Sequence, residues 1–211
     1  MTILIKKIDS IDLLINKFGF TKEHISKLEQ FHDILIKYNS KYNLISKTTE
    51  NSIWNRHFLD SAQIIKFIDV KNTKTIADLG SGAGFPGLML ALLSEKFKFH
   101  VKLYEKSPVK RDFLANLRDK LDIPFDINDN VYSKSINSDL LVCRAFKKLE
   151  EIIRISREIV KKPHRIIILK GKNAQLEINK LSLDKNYSYK LKNSVTDKDS
   201  KIIIAEVKCN G

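Results

Sequence analysis

The 211-residue sequence is poor in cysteine and in long apolar stretches, and these absences restrict its function. Two cysteines are too few for a cysteine-ligated metal cluster or a disulfide framework. The longest uncharged run, residues 79–94, spans 16 residues and is broken by glycines, so it is too short to cross a bilayer. The first 14 residues lack the apolar core of a secretory signal. We therefore expect a cytoplasmic protein without a metal site or membrane attachment.

Acidic residues are also scarce relative to basic ones. The chain has 38 Lys and Arg against 25 Asp and Glu, which gives a net charge of +13 and a pI near 9.6. The excess is largest after residue 145, where 16 basic groups face 8 acidic ones. This imbalance is typical of proteins with a polyanionic partner such as nucleic acid. A lysine-rich composition, 31 Lys to 7 Arg, is the alternative explanation.

No strand pattern occurs before residue 73, and this part of the chain is predicted to be helical. Thr21 is a candidate N-cap for a first amphipathic helix. Two runs carry apolar residues at helical spacing, namely Ile25, Leu28, Phe31, Leu35, Tyr38 and Tyr42, and then, from about Thr49, Ile53, Trp54, Phe58, Ile65 and Ile68. The sequence therefore predicts a helical N-terminal segment over residues 1–72.

From residue 73 onward, short apolar runs alternate with helical patterns. Strands are predicted at 75–79, 100–104, 125–128, 139–143 and 165–169, and helices at 86–96, 108–121, 147–161 and 172–183. Such alternation predicts a parallel sheet with helices on both faces. The length allows one such domain, over residues 73–211, with the helical segment as an accessory, and not two full α/β domains.

The end of the chain departs from this alternation. Two strand-like runs, 187–191 and 201–207, are separated only by a polar turn. Because no crossover helix is available, the last strand is predicted to run antiparallel to its neighbour. A mostly parallel, seven-stranded, Rossmann-like sheet that ends in this way resembles the fold of class I S-adenosylmethionine (SAM)-dependent methyltransferases.

The most informative motif is a glycine-rich turn that follows the first predicted strand. Asp78 is followed by glycines at positions 80, 82, 84 and 87. Glycine permits tight turns and leaves no side chain where a ligand lies against the backbone. Gly82, Gly84 and Gly87 also satisfy the dinucleotide pattern of dehydrogenases, so NAD is an alternative cofactor.

Three features favour SAM over NAD. Asp78 precedes Gly80 by two residues, which resembles the D-x-G-x-G-x-G pattern of class I methyltransferases, where the acid helps to bind the methionine portion. The chain after the fifth strand is too short for the separate substrate domain that most dehydrogenases need. The terminal hairpin is the third feature.

Further cofactor contacts are predicted from position relative to the strands. Glu105 ends the second strand, where an acid accepts hydrogen bonds from both ribose hydroxyls of an adenosine ligand. Phe85 is a candidate wall of the pocket. Val131 and Tyr132 follow the third strand, where class I methyltransferases contact the adenine.

A family resemblance rests on motifs on both sides of the glycine-rich turn. The chain resembles the RsmG/GidB family of bacterial methyltransferases, which modify N7 of a guanine in 16S ribosomal RNA. The matching motifs are Tyr42-Asn43-Leu44, Arg56-His57-Phe58-Leu59-Asp60-Ser61, residues 78–88, Cys143-Arg144-Ala145-Phe146 and Leu169-Lys170-Gly171. The resemblance implies SAM as cofactor and 16S rRNA, or a precursor of the small ribosomal subunit, as partner.

This resemblance agrees with the chemistry of the residues. Guanine N7 carries a lone pair, so methyl transfer to it needs alignment and exclusion of water but no general base. Cys143 lacks the Pro-Cys context of a cytosine-C5 methyltransferase and is predicted to be a buried apolar residue.

Arg144 is the predicted catalytic residue. It follows the fourth strand and is expected to contact guanine O6, a phosphate or the cofactor's carboxylate. His57 and Lys170 are candidate substrate-binding residues. Methylation of another RNA or of a protein, and a catalytically silent RNA-binding module, remain alternatives.

Overall fold

The N-terminal part forms two regular helices in the computed structural model, which describes residues 7–132, 135–180 and 187–208. Helix α1 spans Lys7–Phe18 and α2 spans Lys22–Tyr42. The Thr21 hydroxyl accepts a hydrogen bond from the backbone N–H of His24, as expected of an N-cap. The predicted apolar face of α2 is buried over most of its length, although Tyr42 is 48% exposed. Residues 1–6 of the predicted helical segment, and residues 181–183 of the last predicted helix, lie outside the described residues.

The second apolar run is helical but not one regular helix. It consists of a 3-10 turn at Lys47–Ser52, a π turn at Trp54–Leu59, a short helix α3 at Asp60–Ala62 and a 3-10 turn at Gln63–Phe67. The π turn changes the hydrogen bonds around the Arg56-His57 pair. The N–H of Asp60 bonds to the carbonyls of Asn55 and His57 and not to that of Arg56. The spacing of apolar residues does not distinguish a π turn from an α-helix, because the same side chains can be buried in both; Trp54 and Phe58 are buried here.

The chain after residue 73 forms a seven-stranded sheet in the order β3-β2-β1-β4-β5-β7-β6. The strands are β1 Thr75–Leu79, β2 His100–Tyr104, β3 Asp126–Asn128, β4 Leu140–Arg144, β5 His164–Lys170, β6 Tyr187–Asn193 and β7 Lys201–Val207. Strands β1 to β5 are parallel, and β7 lies antiparallel between β5 and β6. This confirms the predicted fold class and the predicted antiparallel last strand.

Helices flank the sheet as α4 Gly87–Ala91, α5 Ser94–Phe97, α6 Pro108–Leu121, α7 Leu149–Ile159 and α8 Ala174–Lys180. The single helix predicted at 86–96 is two short ones. The N–H of Leu93 bonds to the carbonyl of Leu90, which tightens the turn between them. Within the described residues, none of the helices is long and apolar enough to cross a membrane.

Alternate residues of β1, β4, β5 and β7 enter two different cores, because successive side chains point to opposite faces of a sheet. Ile76 and Leu140 join the core that also contains residues of α1, α2, α4 and α6. Ala77 and Leu141 join the core formed with α7 and α8. The N-terminal helices are therefore packed on the same face of the sheet as α4 and α6.

Candidate active site

A cavity of about 490 Å³ opens at the carboxyl ends of β1, β2 and β4. This is where open α/β sheets bind ligands, since the strand order reverses between β1 and β4. Eight of the ten residues predicted as site residues line it, namely His57, Gly80, Gly82, Phe85, Glu105, Val131, Tyr132 and Arg144. The other two, Asp78 and Lys170, lie outside this lining.

The glycines of the turn are needed for different reasons. Gly80, Gly82 and Gly84 have φ of +71°, +59° and +96°, a region that residues with a side chain rarely adopt. A Cβ on Gly80 would lie 2.3 Å from the ring of Phe146. A Cβ on Gly82 would have as its nearest neighbour the carbonyl oxygen of Gly80, at 3.9 Å, and would project into open space at the cavity wall. Gly82 therefore leaves room for a ligand, whereas Gly80 leaves room for Phe146.

Asp78 supports the glycine-rich turn from beneath. Its side chain is fully buried, and Oδ2 accepts a hydrogen bond from the N–H of Gly87 at 2.9 Å. Oδ1 has no hydrogen-bond partner within the described part of the chain. Burial raises the pKa of Asp78 to about 7. The carboxyl group thus ties β1 to the start of α4.

Glu105 holds the same turn from the neighbouring strand. Its Oε2 accepts from the N–H of Gly82 at 2.9 Å, and its Oε1 accepts from the N–H of Ser107 at 2.8 Å. Each carboxylate oxygen can accept two hydrogen bonds, so both retain capacity for a hydroxyl donor. These two acceptor oxygens therefore fit the two hydroxyls of a ribose.

The rest of the cavity lining includes two predicted residues and several that the sequence analysis did not predict. Val131 is buried and Tyr132 is 53% exposed, beside Asp129 and Asn130. The missed lining residues include Leu44, Ile45, Lys106 and Lys110. Signals for two of them exist, because Leu44 belongs to a family motif and Lys106 directly follows Glu105.

Arg144 is held by contacts from three directions. Its guanidinium lies 5.0 Å from the centre of the Phe85 ring. Nη1 donates to the carbonyl of Arg56 at 2.7 Å and contacts Asp60 Oδ2 at 3.4 Å, and Nη2 donates to Nδ1 of His57. In a regular α-helix the N–H of Asp60 would bond to the Arg56 carbonyl. In the π turn it does not, so this carbonyl is available to Arg144. Of the five N–H donors of the guanidinium, that of Nε and one of Nη2 have no partner in the described residues.

His57 is a neutral imidazole in this arrangement. Burial, together with the charges of Arg144 and Arg56, lowers the pKa of His57 to about 2. Because Nδ1 accepts from Arg144, the proton is on Nε2, which donates to Thr49 Oγ1 at 2.9 Å. The ring also stacks on Phe85, with 5.1 Å between the centroids. His57 therefore acts as an acceptor that fixes the orientation of Arg144.

A second cavity, of about 220 Å³, adjoins the first. His57, Arg144 and Ala145 line both cavities, so the guanidinium lies where they meet. Lys170 is on the wall of the second cavity, but its ammonium is 2.7 Å from Glu177 Oε2 and 2.6 Å from the carbonyl oxygen of Lys147.

Cys143 is fully buried, and burial raises the pKa of its thiol, which opposes a nucleophilic role. In the ranges that the structure describes, no three His, Cys, Asp or Glu side chains are grouped so that they would hold a metal ion. The site itself presents positioned hydrogen-bond donors and acceptors and the partly buried guanidinium of Arg144.

Comparison with known proteins gives one consistent family. The family described as "rRNA small subunit methyltransferase G" (GidB) matches residues 24–203. The ribosomal RNA small subunit methyltransferase G of Orientia tsutsugamushi (strain Ikeda) is 35% identical over 193 residues, which cover 91% of this chain and 95% of that protein. The protein of the same name from Pelagibacter ubique is 31% identical and covers 89% and 90%.

Solved structures agree on the fold. A putative O-methyltransferase from Klebsiella pneumoniae has a TM-score of 0.65 at 10% identity, and it covers 99% of this chain and 100% of its own. A mutant form of MtNAS, solved in complex with S-adenosylmethionine, has a TM-score of 0.57 at 13% identity, with 98% and 85% covered.

Proposed function

Because the chain belongs to the GidB family of rRNA small subunit methyltransferases, we propose that it transfers the methyl group of SAM to N7 of a guanine in 16S rRNA. The observation that carries the proposal is the place of Arg144 at the junction of two cavities, with two N–H donors that no described residue engages. One cavity has the groups for an adenosine ligand. The other is suited to a nucleotide of the substrate, either in naked rRNA or in a small-subunit precursor.

The fit of SAM to the larger cavity is supported by the acceptor oxygens of Glu105 and by the open backbone at Gly82. Glu105 is proposed to accept the ribose hydroxyls, and the bare Gly82 lets the ligand lie against the turn. Val131 and Tyr132 are proposed to flank the adenine. Asp78 is proposed to act by holding the turn, since its carboxyl group is beneath the cavity wall. When bound, SAM supplies an electrophilic methyl group.

The smaller cavity is predominantly cationic. The lining includes Arg56, Arg144, Lys170 and Lys201 together with Asp60; Arg56 also pairs with Asp197, and Lys170 with Glu177. A cationic wall favours an anionic nucleotide and its flanking phosphates. Lys170 is proposed to shape this wall while bonded to Glu177, and His57 to orient Arg144 there.

The residues suit transfer to a lone pair. Guanine N7 has no proton to lose, and the neutral His57 has its Nε2–H engaged with Thr49, so no general base is used. The free N–H donors of Arg144 are proposed to bind guanine O6, which orients N7 toward the methyl group. Phe85, Leu44 and Ile45 are buried apolar residues of the wall and exclude water.

Replacement of Arg144 tests the proposal. Arg144→Ala should leave the SAM affinity near that of wild type, because Arg144 bonds to Arg56, His57 and Asp60 and not to Glu105 or Gly82, which are proposed to hold the cofactor. The rate of methyl transfer to rRNA should fall by about thirtyfold to a thousandfold, which corresponds to roughly 2–4 kcal/mol of transition-state stabilisation. Calorimetric titration of SAM and single-turnover methylation with labelled SAM measure the two effects separately.

Two controls sharpen this test. Arg118→Ala removes an arginine that is 40% exposed on α6 and should change neither quantity. Arg144→Lys should restore only part of the rate, because an ammonium lacks the planar fork. A loss of SAM affinity that matches the loss of rate would assign Arg144 to the cofactor's carboxylate instead. Wild-type protein that binds SAM and rRNA but transfers no methyl group would indicate a silent RNA-binding module.

A further inference from the structure

The turn between β6 and β7, residues 194–200, contacts residues 56–63 of the N-terminal segment at several points. Arg56 forms an ion pair with Asp197 of the turn. The backbone N–H of Val195 donates to Gln63 Oε1 at 2.9 Å. Thr196 is 6% exposed. A polar connection between two strands usually lies in solvent, whereas this turn is held by Arg56 and Gln63 and its Thr196 is buried.

Asp60 is at the centre of this contact, and its two oxygens have different partners. Oδ1 accepts from Gln63 Nε2 at 2.9 Å, from Ser194 Oγ at 3.2 Å and from Thr196 Oγ1 at 2.7 Å. Oδ2 faces Nη1 of Arg144 at 3.4 Å. One carboxylate therefore connects the β6–β7 turn with the residue proposed to orient the guanine.

The turn is also part of the cavity wall. Ser194 and Ser200 line the smaller cavity together with Asp60 and Arg144. The Asp60 side chain is 17% exposed. A displacement of the turn relative to Arg144 would change the width of this cavity, since the two face the same space.

We infer that Asp60 is a positioning residue for methyl transfer and that the β6–β7 turn forms one wall of the substrate site. Oδ1 holds the turn, and Oδ2 sets the orientation of Arg144 relative to it. This inference rests on the proposed function, because it assigns these residues to the substrate side of the same site.

The division between the two oxygens allows two selective variants. Asp60→Asn can keep an acceptor for Gln63, Ser194 and Thr196 while it places an amide N–H₂ toward Arg144. The double variant Ser194→Ala with Thr196→Ala removes two donors of the turn and leaves the Asp60–Arg144 contact in place. Asp199→Ala removes an exposed acid of the same turn and serves as the matched control.

The measurements are single-turnover methylation of rRNA and calorimetric titration of SAM, below the unfolding temperature of each variant. Asp60→Asn should reduce the rate at saturating SAM and rRNA by about tenfold to a hundredfold, since a small misplacement of a positioned group has this effect. Ser194→Ala with Thr196→Ala should raise the rRNA concentration for half-maximal rate by about tenfold. SAM affinity should stay within about twofold in both, and Asp199→Ala should match wild type.

Coupling to Arg144 separates positioning from a purely structural role. Combined with Arg144→Ala, the Asp60→Asn change should add little, because both act through one guanidinium. Multiplication of the two losses, or a wild-type rate in Asp60→Asn while Arg144→Ala is slow, would overturn the inference and leave the proposed function intact. Absence of transfer by the wild-type protein would instead remove the proposed function, and the inference with it.

Discussion

At the scale of single residues, neighbouring glycines in one turn have distinct physical roles. A Cβ on Gly87 would lie 2.2 Å from the Leu103 side chain and 2.7 Å from Asp78 Oδ2. These are buried atoms that cannot easily move. A Cβ on Gly82 would instead enter the cavity, at a φ of +59°. The same substitution should therefore affect the fold at one position and the ligand at the other.

We predict that Gly82→Ala weakens SAM binding while Gly87→Ala chiefly destabilises the fold. Wild-type protein should melt at a higher temperature with SAM, by mass action, and should not respond to NAD. Gly82→Ala should lose most of the SAM-induced shift with a smaller fall in the melting temperature of the free protein. Differential scanning fluorimetry with and without each ligand measures both. A shift with NAD and none with SAM would contradict the cofactor assignment.

The neutral His57 predicts a pH dependence of stability. Its pKa is lowered to about 2 from an ordinary value of 6.5, so the unfolded chain binds a proton below pH 6.5 that the folded chain does not. The stabilisation is therefore complete above that pH and is lost as the pH falls toward 2. Relative to His57→Asn, wild type should lose roughly 1 kcal/mol of unfolding free energy per pH unit below about pH 6.5. Urea unfolding from pH 8 to pH 5 tests this, and a difference that stays constant over that range would contradict it.

At the scale of elements, the direction of the parallel strands determines where a lysine lies. A lysine that follows a strand lies at the edge formed by the carboxyl ends, and one that precedes a strand lies at the opposite edge. Lys147 and Lys148 follow β4 and lie at the edge that carries the cavities, where Lys147 lines the larger one. Lys71 and Lys161 precede β1 and β5 and lie at the opposite edge. The four are exposed, so composition alone does not distinguish them.

Charge reversal at the two edges should therefore differ in its effect on RNA binding. Lys147→Glu with Lys148→Glu should weaken rRNA binding and reduce the slope of log affinity against log salt by about one for each phosphate that is no longer bound. Lys71→Glu with Lys161→Glu, the control with the same change in net charge, should leave most of the slope. Binding isotherms at several salt concentrations provide the measurement. Equal effects of the two pairs would show that only net charge matters.

At the scale of the whole molecule, the N-terminal helices and the sheet share one core. Phe31 of α2 contacts Phe58 of the π turn, Phe85 of the glycine-rich turn and Phe113 of α6, with centroid distances of 5.2, 5.4 and 6.3 Å. Because these rings are packed against one another, unfolding of either part would remove packing contacts from the other. The division into residues 1–72 and 73–211 therefore marks a change of pattern along the chain, and we expect a single unfolding unit.

Phe31→Ala should lower the free energy of unfolding by about 3–5 kcal/mol, because Phe31 is fully buried. Ile36→Ala, on the same helix but at a side chain that is 37% exposed, should cost less than about 1 kcal/mol. Fluorescence of Trp54, the only tryptophan, reports on the N-terminal segment, and far-UV circular dichroism reports on the whole chain. The two transitions should coincide in both variants. An earlier fluorescence transition would indicate that the segment unfolds separately.

The sequence by itself determined the elements of the sheet, the antiparallel last strand and the position of the glycine-rich turn. These follow from local patterns: the alternation of apolar runs and helical spacing, the absence of a crossover helix before β7, and glycines where φ is positive. Eight of the ten predicted site residues line one cavity because the carboxyl ends of parallel strands meet at one edge of the sheet.

Only the tertiary structure decided which atoms the functional side chains meet. The π turn leaves the Arg56 carbonyl to Arg144, and no periodicity of side chains signals a shift in backbone hydrogen bonds. Asp60 is joined to Ser194 and Thr196, more than 130 positions later, and contacts across such separations depend on how the whole chain packs. The motif includes Asp78, but the hydrogen bond from the N–H of Gly87 to its carboxyl group depends on where β1 ends relative to α4.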